Sequence, residues 1–80
     1  MSNKKIPNWF DGVVYDEGDV VVNPFSKEKY ELNNLELSIY DLIMGINAMN
    51  IWNNNTIDLH QKALKWFRQN NPEAYMTLLD

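Results

Sequence analysis

At 80 residues the chain makes one domain, and a domain that small buries only about 60% of the surface its unfolded form exposes. With no cysteine and a single histidine, a disulfide framework, a thiolate metal site and a histidine cluster within one subunit are excluded. The net charge of −4 argues against general nucleic-acid or anionic-membrane binding, and no apolar run approaches the ~20 residues of a membrane span.

Residues 1–5 are expected to fray. Their two lysines are followed by no apolar run of the length a signal's core needs, so they do not read as a secretory signal, and the expected compartment is the cytoplasm. Ile6 to Phe10 is apolar and ends at the turn dipeptide Asp11-Gly12. Val13 to Tyr15 has the composition of a short strand, and Asp16 to Asp19 signals a second turn. Val20 to Val22 is β-branched and strand-prone. Asn23 to Ser26 reads as a turn with proline at its second position, and Lys29 to Leu32 alternates as a returning partner strand. So small a sheet needs a helix against one face.

That helix is predicted over 33–52. Asn33 suits an N-cap and Glu36 completes the spacing of a capping box. Leu32 and Leu37 fall where a hydrophobic staple is made. At about 100° per residue its apolar residues form two stripes. One holds Leu35, Ile39, Leu42, Ile46 and Met49; the opposite one holds Leu37, Tyr40, Met44, Ala48 and Ile51. Glu36, Asn47 and Asn50 form one seam between them, and Ser38, Asp41 and Gly45 the other. A helix apolar on opposite sides needs cover on both. Either the chain supplies both covers, or one stripe meets another copy of the protein. Gly45 costs about 1 kcal/mol relative to alanine mid-helix, so a close approach there, within or between subunits, is expected.

A second helix is predicted over 57–69, capped by Asn55 or Thr56. Its apolar side carries Ile57, Leu59, Ala63, Leu64, Trp66 and Phe67, with His60 among them. Asn71, Pro72 and Glu73 mark the start of a third helix over 72–79, with Tyr75, Leu78 and Leu79 inward. The fold class is therefore α+β: a small N-terminal antiparallel hairpin or meander, then three helices, in one domain with no repeats.

Chemistry is sparse. Asp11, Asp16, Glu17 and Asp19 lack the alternating ligand spacing of a calcium loop and read as a solvated turn. His60 has no nearby serine or cysteine to activate and reads as a packed boundary residue. None of the three serines and two threonines sits in a nucleophile elbow or phosphate loop. No catalytic, cofactor-binding or metal-binding residue is assigned. Lys62, Lys65 and Arg68 line one side of the second helix, and with Lys27 and Lys29 they are the alternative candidates, for phosphate contact with nucleic acid. The twelve asparagines are attributed mainly to compositional bias.

Several stretches resemble short accessory proteins of tailed bacteriophages, including phages of marine bacteria. They are Asn23-Pro24-Phe25, Tyr30-Glu31-Leu32, Tyr40-Asp41 with Ile43-Met44-Gly45, Trp66-Phe67-Arg68 with Asn70 and Pro72, and Ala74-Tyr75 with Leu78-Leu79-Asp80. They cover about two thirds of the chain, mostly from residue 20 onward. The resemblance implies a phage-encoded protein acting in the host cytoplasm and brings no activity, cofactor or catalytic residue. The expected function is a non-enzymatic protein–protein module, self-associating as a dimer or meeting a host or phage protein. Tyr40, Met44, Gly45, Ala48 and Ile51 are the expected contacts, with Trp52 near the rim.

Overall fold

The computed structural model describes residues 6–10 and 12–79. The expected frayed tail at 1–5, and Asp11 of the first turn and of the acidic cluster, lie outside the described residues. The chain is α+β, as its patterning predicts: an antiparallel hairpin of β1 (Asp19–Val22) and β2 (Lys29–Leu32), then helices α1 (Asn34–Met49), α2 (Asn54–Asn70) and α3 (Pro72–Ala74). A π-helical turn, Tyr75–Leu79, continues α3.

The strand register pairs Val21 with Tyr30 and Asp19 with Leu32. Alternation then turns Val21, Tyr30 and Leu32 toward the helices and leaves Val20 and Val22 outside. Val13 to Tyr15, which has strand-like composition, does not add a third strand. It lies across α1 instead. The Tyr15 amide donates to Ser38 Oγ at 2.9 Å, and the Tyr15 hydroxyl donates to the Asp41 carboxylate. Gly18 makes the return to β1 possible. A Cβ there would sit 1.9 Å from the Leu32 carbonyl oxygen, so the two backbones pass too closely for any side chain.

Helix α1 starts as its residues dictate. Asn33 Oδ1 accepts from the Glu36 amide at 2.8 Å, and Glu36 Oε1 accepts from the Asn33 amide at 3.0 Å, closing the capping box. Its end falls earlier than the predicted residue 52. Asn50 adopts the left-handed conformation at φ 55°, and its amide donates to the Ile46 carbonyl, so Ile51 and Trp52 belong to a connection. The two-stripe reading is also corrected. The buried residues Leu35, Ile39, Ile43 and Ile46 follow one continuous face, and Tyr40 lies on its flank at 6% exposure. Glu36, expected on a polar seam, points into that face and is 4% exposed.

The buried carboxylate is satisfied by polar partners, as burial requires. Glu36 Oε2 accepts from Asn71 Nδ2 at 3.0 Å. Asn71 Oδ1 in turn accepts from the Ala74 amide and from the Tyr30 hydroxyl, which also reaches Glu73. This network joins the start of α1, the α2–α3 corner and β2. Every buried side-chain polar atom among the described residues has a partner.

Helix α2 begins three residues before the predicted start. Its cap is Asn53, whose capping box closes with Thr56. Asn71 caps α3 with Pro72 and Glu73 in the first turn, as predicted. Phe67, Leu32, Ile39 and Ile43 are the largest fully buried side chains and form the centre of the core, with Ala63 and Ala74 filling between elements.

Candidate interaction face

The six residues expected at an interface separate in the structure. Tyr40 is buried by its own chain. Met44 and Gly45 are half-buried, and Ala48, Ile51 and Trp52 are exposed. The crossing contact expected at Gly45 is not made among the described residues, because apart from the adjoining backbone of α1 itself no atom lies within 4 Å of where its Cβ would be. What remains open is the C-terminal half of α1 and the corner after it.

That corner is apolar and held in place. Met49 is 62% exposed and Ile51 56%, with Trp52 and Ile57 beside them in sequence, also exposed. The left-handed Asn50 sets the chain direction, and the Thr56 hydroxyl donates to the Ile51 carbonyl at 2.8 Å. Trp52 Nε1 donates to Asn50 Oδ1 at 2.9 Å, and its ring meets His60 edge-on with centroids 5.1 Å apart. The other side of His60 turns to α1, where Nε2 donates to Asn47 Oδ1 at 3.1 Å. His60 therefore sits at a boundary, in a position that braces Trp52.

From Asn47 the open face continues into a groove of about 200 Å³, lined by Asn23, Pro24, Phe25, Met44, Asn47, Leu78 and Leu79. The hairpin tip forms one wall. Asn23 fixes that tip. Its Oδ1 accepts from the amides of Phe25 and Ser26, its main chain bonds Lys27 and Glu28, and its Nδ2 donates to the Thr77 carbonyl at 2.9 Å. Lys27 takes a left-handed conformation at φ 68° to close the turn. The result is a tip tied to the C-terminal turn and carrying Phe25 at 93% exposure. Sequence reading passed over Phe25 as a turn residue. The sequence signal was Asn23-Pro24, a turn pair that sets the next residue at a hairpin tip, and the structure leaves that residue outside.

The alternative basic site is less coherent. Lys62 pairs with Asp58 at 2.9 Å, and Arg68 lies over the Tyr75 ring at 5.6 Å, leaving Lys65 exposed between them. An open acidic cleft of about 480 Å³ is lined by Glu17, Glu31 and Glu36, but Glu36 is committed to Asn33 and Asn71. Among the described residues, no group of three or more His, Cys, Asp or Glu side chains is placed to hold a metal ion, and no helix is long and apolar enough to cross a membrane.

Three tyrosine hydroxyls titrate above the ordinary tyrosine range. Tyr15 is held up by its hydrogen bond to Asp41, and by that carboxylate's charge. Tyr30 is raised by burial first and by its bond to Glu73. Tyr40 is raised mainly by burial. None of these three tyrosines lines the groove. No protein-family model, curated protein or solved structure matches the chain.

Proposed function

We propose that this chain is a non-enzymatic interaction module that pairs with a second copy of itself through the face running from the hairpin tip to the α1–α2 corner. The observation that carries the reading is the continuity of that face. Phe25, Met44, Asn47, His60 and Trp52 follow one another by direct contact or shared groove lining, and Ile51 and Met49 adjoin at the corner. Single exposed apolar residues are ordinary on a monomer, but a joined set with fixed geometry marks a surface meant to be covered. Large aromatic and methionine side chains are what interface centres favour. The groove lining is uncharged although the chain carries a net −4, which suits contact between two like-charged copies.

Tyr40 leaves the expected contact set, and Phe25 joins Met44, Gly45, Ala48, Ile51 and Trp52 in it. The phage-encoded origin and host-cytoplasm setting rest on the resemblance alone; a pull-down from host extract addresses a heterologous partner. Light scattering over a concentration series tests self-pairing. The mass is expected to rise with concentration, and substitution of Trp52 by alanine is expected to weaken the rise. A constant single-chain mass would end the reading.

A further inference from the structure

We infer that Phe25 of each copy seats in the groove of the other, so that the pair is locked by two reciprocal ring-in-groove contacts. This rests on the self-pairing reading and names its anchor. Three observations carry it. Phe25 projects almost wholly into solvent, at 93% exposure, from a tip that five Asn23-centred hydrogen-bond partners hold still. An anchor fixed before contact loses little freedom on binding. Beside it lies a half-open groove of about 200 Å³ bordered by Met44, Leu78, Leu79 and Pro24, and by the polar side chains of Asn23 and Asn47. An engineered apolar cavity of about 150 Å³ accepts a benzene ring, so the groove has room for one phenyl group.

The third observation is placement. Knob and groove are adjacent on one face, since Phe25 itself borders the groove. In a two-fold pair the same patch meets itself, and a contact from i to j is repeated from j to i. An adjacent knob and groove satisfy that condition without rearrangement, with the axis passing between the two tips. A specific pair buries about 800 Å² per copy, roughly a seventh of this chain's 5646 Å². The ring alone does not supply that area, and the line from Asn47 through His60 to Trp52 extends the contact.

The test compares the full-length wild type with Phe25→Ala and Phe25→Tyr by sedimentation equilibrium. Phe25 packs on so little of its own chain that the alanine variant should keep the wild-type melting temperature when both are dilute enough to be single chains. Its dissociation constant should rise about 10- to 100-fold, the effect of removing an interface anchor. The tyrosine variant, which keeps the ring, should stay near wild type. The parent chain has no cysteine, so mixing Phe25→Cys chains with Met44→Cys chains gives a second readout: a disulfide joining the two variants. A wild-type dimer that Phe25→Ala leaves equally tight, with no mixed disulfide, overturns the ring-in-groove contact alone. A wild type that stays single overturns both this contact and the self-pairing reading.

Discussion

The two halves of α1 share an apolar periodicity and differ in their surroundings. In the first half Leu35, Glu36, Ile39, Tyr40 and Ile43 are buried, the start is closed by a capping box, and Tyr15 binds the outer side through Ser38 and Asp41. In the second half Ile46 is the buried residue, while Asn47, Ala48 and Met49 are exposed and Gly45 faces open space. Apolar periodicity continues through both. Cover comes from elsewhere in the chain: the common core takes in α1 as far as Ile43 and Met44, and beyond it α2 meets α1 through His60 and Asn47 while the outer side stays open. The difference teaches that a helix can be continuous while its burial stops halfway, and that the functional question belongs to the uncovered part.

The comparison breaks most sharply by making one change at both ends. In urea unfolding of the dilute, unpaired chain, Ile39→Ala, at a site with no exposure, should cost about 2–5 kcal/mol, whereas Met49→Ala should stay within about 0.5 kcal/mol. Equal losses would mean the second half is as well packed as the first. Gly18→Ala attacks the closed half from outside, since its methyl group must displace the Leu32–Asn33 backbone. A loss of about 1–3 kcal/mol or more is expected, read by thermal melting, and a neutral result would remove the close approach from the account.

Gly45 sharpens the open half. Within one subunit Gly45→Ala meets nothing and should stabilise the dilute chain by about 1 kcal/mol through helix propensity. Gly45→Leu should likewise leave the single chain folded and weaken pairing. A Leu variant that unfolds while dilute would show an intrasubunit contact there after all.

The smallest effect concerns the Tyr15 strap. Because its hydroxyl is protonated in the bond to Asp41, its folded pKa lies above the ordinary value of about 10. The strap's contribution is therefore complete below pH ~10 and is lost as pH rises through the raised value. Tyrosinate absorbance should show a late-titrating component from Tyr15, Tyr30 and Tyr40 that Tyr15→Phe reduces by one tyrosine, and a late component of unchanged size in that variant would take Tyr15 out of it.

Much of this was legible in the sequence. Asn33 with Glu36, and Asn71 with Pro72, announced two helix starts because capping chemistry is local. Val20 to Val22 and Lys29 to Leu32 announced the hairpin for the same reason. The ends that were misread depend on less local facts. Asn50 ends α1 by taking a left-handed conformation that many residues could have declined, and Asn53 rather than Asn55 or Thr56 caps α2 because Thr56 serves as its box partner. The asparagine abundance, attributed to composition, turns out to work at Asn23, Asn33, Asn50, Asn53 and Asn71, each at a turn or helix end. Glu36 could not be placed inside from periodicity, because its burial depends on Asn71, 35 residues away. The candidate face was half visible. Ile51 and Trp52 stood out as apolar residues near a helix end, but the groove exists only once the hairpin tip is tied to Thr77.

The central claim is that the open half of α1 is covered by a second copy. Sedimentation equilibrium of the full chain from micromolar to millimolar concentration tests it most directly. The account predicts a mass that climbs from 9.4 kDa toward twice that value. A mass fixed at 9.4 kDa across the whole range would contradict it.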